Sequence, residues 1–230
     1  MVFDPMYFLF ILPPFLFSLF ASWRTRSNFK TYSRVPASSG MTGAQAAQRI
    51  LDGAGISDVS IGQSKGLLSD HYNPTNKTLN LSSGVYESRS LAAVGIAAHE
   101  AGHAIQHATS YGPLKLRSML VPTASIGSNL GYLIMLGGLF MSSANLVAVG
   151  AVLFSAVLLF QFVTLPVEFD ASKRAKALVV KEGIVGVDER GGMDKVLNAA
   201  AMTYVASAVT TLLTLLYYLM RSGLLGGRDE

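Results

Sequence analysis

The 230-residue sequence contains no cysteine and few charged residues. Without cysteine the chain has no disulfides, no thiolate metal ligands and no cysteine nucleophile. Charged residues make up 14% of the chain, whereas soluble domains usually contain about a quarter, and half of the residues are apolar. The mean hydropathy of +0.41 agrees with this balance. The composition therefore predicts a membrane protein.

Four segments are apolar and long enough to cross a bilayer, whose core requires roughly 20 apolar residues per helix. They are residues 6–23, 120–140, 146–167 and 196–220. Only the stretch MSSAN separates the second from the third, which predicts a transmembrane helical hairpin. The first segment has the length of a signal peptide, but its cations follow the apolar stretch instead of preceding it. We therefore expect a retained anchor.

Cations flank the segments on one side. Four follow the first segment (Arg24, Arg26, Lys30, Arg34), two precede the second (Lys115, Arg117) and four follow the third (Lys173, Arg174, Lys176, Lys181). By the positive-inside rule these residues lie in the cytoplasm and the N-terminus lies outside a prokaryotic inner (plasma) membrane. No basic patch is interleaved with aromatic residues, so we expect a lipid bilayer and no nucleic acid as a partner. The spans also lack the central charges of a transporter pathway.

The sequence thus predicts an α-helical polytopic membrane protein with about four transmembrane helices and a small cytoplasmic α+β domain. The predicted parts are an anchor (1–23), the domain (24–118), the hairpin (119–167), a cytoplasmic segment (168–195) and a last transmembrane helix with a short tail (196–230). The domain begins with a helix capped near Thr42. Two short strands follow in SDVSIGQ and KTLNLSS, on either side of a turn-rich stretch. A second helix runs from near Ser88 or Ser90 to about Thr109.

Three of the four histidines lie within this second helix, in HEAGHAIQH. His99 and His103 are one helical turn apart on one face, so both imidazoles can bind one ion. Glu100 lies about 100° further round, where it can reach a water molecule instead of the ion. This is the H-E-x-x-H pattern of two zinc ligands and a general base. His107 lies about 12 Å along the helix from His99, too far to bind the same ion.

A catalytic zinc ion commonly has three protein ligands and a water molecule. We expect the third ligand to be a carboxylate on the same side of the membrane, and Glu168 is the first candidate because the hairpin returns the chain to the side it left. Asp170 is near but faces about 200° away on a helix. The remaining candidates lie in a glycine-rich stretch that predicts a solvated loop: Glu182, Asp188, Glu189 and Asp194.

Several motifs together resemble the YugP-type family of membrane zinc metallopeptidases: SGMTGAQAAQRIL, LSDHYNP, VGIAAHEAGHAIQHA, YGPLKLRS and EFDASKRA. The resemblance implies a zincin-like cytoplasmic domain, one Zn²⁺ per chain and protein or peptide substrates. The chain is also similar, more distantly, to HtpX-type and CAAX-prenyl membrane proteases. Their E-x-x-x-D segment implies Glu168 as the third ligand, but Ser172 stands where they have aspartate.

Two smaller questions stay open at the level of sequence. If TLNLS is an edge strand beside the histidine helix, a substrate could pair with it, and His71 or Tyr72 could stabilise an oxyanion. Alternatively, Asp70 and Asn73 cap backbone groups of a turn. Gly102 either serves close helix packing or is merely tolerated.

These observations predict a membrane-integrated, zinc-dependent endopeptidase in which Glu100 acts as general base and His99, His103 and Glu168 hold the metal. The alternative is a zinc-binding membrane adaptor or scaffold without proteolytic activity, because nothing in the sequence identifies a substrate pocket. In that case the metal ligands would be essential and Glu100 would be dispensable.

Overall fold

The computed structural model describes residues 4–66 and 69–225, and these residues are mostly helical. The eight α-helices of this part are α1 (Pro5–Tyr32), α2 (Gly43–Gly53), α3 (Ser83–Tyr86), α4 (Leu91–Ala108), α5 (Gly112–Ile126), α6 (Tyr132–Phe140), α7 (Ala144–Lys181) and α8 (Arg190–Arg221). A π-helical turn, Gly127–Gly131, joins α5 to α6. The three strands are β1 (Ser60–Ser64), β2 (His71–Asn73) and β3 (Thr78–Ser82).

Four helical stretches are long and apolar enough to cross a membrane: Pro5–Tyr32, Gly112–Phe140, Ala144–Lys181 and Arg190–Arg221. The predicted number of spans is therefore confirmed. Every one of these helices extends past its apolar segment into polar sequence. The boundaries predicted at residues 23, 118, 167 and 195 consequently fall inside helices and not in loops.

One compact unit contains the described parts of residues 1–21, 116–165 and 203–230. Glycines allow its helices to approach closely: a Cβ on Gly127 would lie 2.3 Å from the carbonyl oxygen of Leu153, and one on Gly131 would lie 2.8 Å from the amide nitrogen of Phe154. The glycines of the second span therefore serve interhelical contact. In addition, Thr210 of α8 bonds with Ser18 of α1 at 3.2 Å.

The other compact unit contains residues 22–115 and 166–202. Its sheet has the order β1-β3-β2, in which β1 is parallel and β2 antiparallel to β3. The two predicted strands are present. A third, β2, occupies part of the stretch predicted to be turn, because pairing with β3 supplies hydrogen bonds that no local pattern reveals. The condition that TLNLS is an edge strand is not met: β3 is central, and β1 and β2 are the two edge strands.

The histidine helix α4 is almost wholly buried in the core of this second unit. Its N-cap is Ser90, whose hydroxyl accepts from the amide of Ala93 at 3.2 Å, and its C-cap is Thr109, as predicted. Helix α2, earlier in the chain, has the predicted N-cap Thr42, which forms a capping box with Gln45. The small side chains of α4 let helices and strands approach it from several sides.

Candidate metal centre

The backbone of α7 approaches α4 closely at Gly102. A Cβ on Gly102 would lie 2.7 Å from the carbonyl oxygen of Ala171 and 3.2 Å from its Cα. Only glycine therefore permits this packing, and the question left open for Gly102 is answered in favour of close contact. The consequence is that Glu168 and Ser172, on neighbouring turns of α7, come within reach of the α4 histidines.

Three side chains converge at this contact. His99 Nε2 lies 3.1 Å from Glu168 Oε2, and His103 Nε2 lies 3.6 Å from the same oxygen. All three potential ligand atoms lie within 4.8 Å of one another. Two atoms bound to one tetrahedral zinc ion at about 2.0–2.1 Å are separated by roughly 3.4 Å. The spacing in the structure therefore fits a single zinc ion.

Among the candidate carboxylates, only Glu168 belongs to the group of described residues that could hold a metal ion. Two of the others have partners of their own. Glu182 pairs with Arg49 at 3.4 Å. Glu189 accepts from the Ser38 hydroxyl at 2.6 Å. Asp194 belongs to α8, where sequence had predicted a loop.

Both histidines are also held at Nδ1, the nitrogen that faces away from Glu168. Ser172 Oγ lies 3.1 Å from His99 Nδ1. Gln106 Oε1 lies 3.0 Å from His103 Nδ1. Ser172 thus contacts His99 although it replaces the aspartate of the E-x-x-x-D pattern. Such partners fix the tautomer and the ring orientation of metal-binding histidines.

Gln106 was not among the residues predicted from the sequence. The only feature of the sequence that points to it is its position three residues after His103, which places both side chains on neighbouring parts of the helix surface. Its complete burial follows from the packing of α7 onto α4, which joins residues far apart in the chain.

The charges of the site are arranged for a cation. Glu168 is only 2% exposed, and the Nε2 atoms of His99 and His103 lie 3.1 Å and 3.6 Å from its Oε2. Burial by itself lowers the pKa of His103, but the hydrogen bond that it donates to Glu168 and the negative charges of Glu100 and Glu168 outweigh burial, so this pKa is raised. A buried pair of carboxylates facing imidazoles favours a positive charge among them.

Glu100 points towards the edge strand instead of joining the ligand group. Its Oε2 accepts a hydrogen bond of 2.9 Å from the backbone amide of Tyr72 in β2. The hydroxyl of Tyr72 lies 2.8 Å from His107 Nδ1. His107 therefore lies outside the metal-binding group, where the helix geometry predicted it to be, and serves to hold Tyr72.

His71 is directed away from this site, because its Nδ1 bonds with the carbonyl oxygen of Ser69 at 2.8 Å. Its neighbours cap backbone groups: Asp70 accepts from the amide of Ser82 at 2.8 Å, and Asn73 accepts from the amide of Thr75 at 2.9 Å. Asp70 and Asn73 thus cap backbone groups as the second alternative predicted, but His71–Asn73 forms strand β2 and not a turn.

A cavity of about 300 Å³ opens on the same face of α4 as Glu100. Ala104 and His107 form its floor on α4, and Tyr72 of β2 forms one wall. Ile56 and Val59 contribute apolar surface, while the ion pair of Asp58 and Lys77 stands at its edge. Tyr72 connects this cavity with Glu100, because it lines the cavity and donates its backbone amide to Glu100.

The structure thus contains four candidate membrane spans and a group of two histidines and one glutamate that could hold a metal ion. The chain belongs to the family described as "Putative neutral zinc metallopeptidase", whose model matches residues 7–223. It is 48% identical over 213 residues to the "Putative membrane protease YugP" of Bacillus subtilis (strain 168), covering 93% of this chain and 94% of that protein. No solved structure matches the chain. The predicted resemblance, zinc cofactor and membrane character are confirmed.

Proposed function

We propose that the protein is a membrane-integrated zinc endopeptidase whose metal is held by His99, His103 and Glu168 and whose general base is Glu100. The observation that carries the proposal is the position of Glu168 Oε2, 3.1 Å and 3.6 Å from the two Nε2 atoms. Two histidines and one glutamate leave a fourth position of a tetrahedral zinc ion open, as catalytic sites require.

Zinc bound there supplies Lewis acidity, which polarises a peptide carbonyl and lowers the pKa of a water molecule to about 7. The protein's own residues do the remaining work. Glu100 takes the proton of the attacking water and then donates it to the nitrogen of the leaving amine. The amide of Tyr72 holds the Glu100 carboxylate in place through its 2.9 Å hydrogen bond.

The cavity beside Tyr72 offers a place for a substrate side chain. Tyr72 lines this cavity and donates its backbone amide to Glu100, so a peptide whose side chain enters the cavity has its main chain near the general base. Strand pairing at the edge of β2 is excluded at Tyr72, because this edge faces α4 and its amide already donates to Glu100.

The distribution of cations supports an active site on the cytoplasmic side of the membrane. The cations around the spans cluster in residues 24–34, 115–117 and 173–181, which belong inside by the positive-inside rule. The third ligand and the histidine helix then share that side.

The test is a cleavage assay on the protein purified in detergent, with an unfolded casein as substrate and zinc content measured in parallel. Glu100→Gln should keep zinc and lose about 10²–10⁴-fold in rate, because the carboxylate that moves the proton is gone. Glu168→Ala should lose zinc. Glu87→Gln makes the same change as Glu100→Gln at an exposed position and should leave both properties unchanged.

Two outcomes would contradict the proposal. A Glu100→Gln variant that cleaves at the wild-type rate would exclude Glu100 as the base. The alternative, a zinc-binding adaptor without proteolytic activity, would be favoured if the zinc-loaded wild-type protein cleaved neither casein nor itself and if only substitutions of the metal ligands reduced the zinc content.

A further inference from the structure

Gln106 is a completely buried side chain, 0% exposed, at the contact of α4 with α7. Its Nε2 donates to the carbonyl oxygen of Val167 at 2.8 Å and to Asp170 Oδ2 at 2.8 Å. Its Oε1 lies 3.0 Å from His103 Nδ1. Every polar atom of this amide therefore has a partner, in a place that water does not reach.

The chemistry of these partners fixes which way the amide points. The carbonyl oxygen of Val167 and the carboxylate of Asp170 are both acceptors, so the atom that faces them must be the NH₂ group. The reverse orientation would place oxygen against two acceptors in a buried site. Arg174 strengthens the arrangement, since its Nε donates to Asp170 Oδ2 at 2.6 Å and keeps that oxygen an acceptor.

The amide oxygen that remains can only accept. His103 Nδ1 must therefore carry the proton and donate to Gln106 Oε1. In the neutral imidazole the lone pair is then on Nε2, the atom that faces Glu168 Oε2 at 3.6 Å. His99 has no such constraint, because its partner, the hydroxyl of Ser172, can either donate or accept.

We propose that Gln106 is a positioning residue that holds His103 in the Nδ1–H tautomer and directs its Nε2 lone pair at the metal, and that Asp170 sets the orientation of Gln106. The proposal rests on the proposed function in so far as His103 is a zinc ligand. It adds a chain of contacts from Arg174 through Asp170 and Gln106 to His103, and of these four residues only His103 would contact the metal.

The experiment measures the zinc affinity of the full-length protein in detergent, by competition with a chromogenic chelator. Gln106→Met keeps the length of the side chain but removes the acceptor, and zinc binding should weaken about 10–100-fold. Gln161→Met makes the same change on the other helix, α7, and should bind zinc like the wild type. Thermal unfolding of the metal-free variants identifies any loss that is due to misfolding.

A second variant separates the acceptor from simple packing. In the isosteric variant Gln106→Glu, one oxygen at 106 still accepts from His103, and the other, which faces the carbonyl oxygen of Val167 and Asp170 Oδ2, takes up a proton and donates to one of them. This variant should bind zinc within about tenfold of the wild type, since the acceptor at His103 is retained. Binding as weak as that of Gln106→Met would overturn the proposal, because packing would then maintain the site.

The remaining outcomes are also decisive. Wild-type affinity in Gln106→Met would overturn the role of Gln106 while leaving the proposed function intact. If the wild-type protein did not bind zinc, but folded normally, the ligand set itself would be wrong and both proposals would fail together.

Discussion

Gly102→Ala tests whether the approach of α4 to α7 creates the metal centre. The added Cβ would lie 2.7 Å from the carbonyl oxygen of Ala171, and ordinary contacts begin at 3.4 Å, so the two helices must separate by about 0.7 Å here. Metal–ligand distances tolerate about 0.2 Å. We therefore expect zinc affinity to fall at least about tenfold, as Glu168 withdraws from His99 and His103.

The effect on stability is the balance of two opposite terms. Alanine in a helix interior is favoured over glycine by about 1 kcal/mol. Overpacking at a tight contact costs about 1–3 kcal/mol. The free energy of unfolding of the metal-free protein should therefore change little or decrease by up to about 2 kcal/mol. The clearer effect of Gly102→Ala should be the loss of zinc affinity.

The assay combines chelator competition for zinc with thermal unfolding of the metal-free protein. Gly137→Ala is the matched control, because it also lies within a helix and its added Cβ would meet nothing within 4 Å. If Gly102→Ala binds zinc as tightly as the control, the close contact with Ala171 does not set the ligand geometry and the reasoning fails.

Three further predictions concern the surroundings of the ligands. Ser172→Ala should weaken zinc binding about tenfold in chelator competition, whereas Ser172→Asp should not, because aspartate keeps a partner for His99 Nδ1. Equal zinc affinity in both variants would show that this contact does not support zinc binding. Zinc affinity should fall as the pH drops from about 8 to about 5, because protons then compete with zinc for His103. The raised pKa of His103 places the onset of this loss above the ordinary histidine pKa of about 6.5, and a constant affinity over this range would contradict the assignment. Tyr72→Phe should keep casein cleavage within about tenfold, since the hydroxyl bonds to His107 and the amide of Tyr72 is retained; a loss of about 10²–10³-fold would instead assign the hydroxyl to the oxyanion.

Much of the fold was predictable because it depends on local features. The four spans follow from apolar length, and the helices α2 and α4 follow from their caps, Thr42 and Ser90. Strand β2 was not predictable, because three residues of HYN contain no periodic signal. That strand exists through its pairing with β3 and its contact with Glu100.

The sequence by itself determined that His99, Glu100 and His103 share one turn of a helix next to a membrane, because helical periodicity is a property of neighbouring residues. It did not determine the partners of those residues. Which carboxylate completes the group, and that Ser172 and Gln106 hold the two imidazoles, was decided by the packing of α7 onto α4. That packing is a tertiary effect, since it depends on two backbones meeting at Gly102 and Ala171, far apart in the chain.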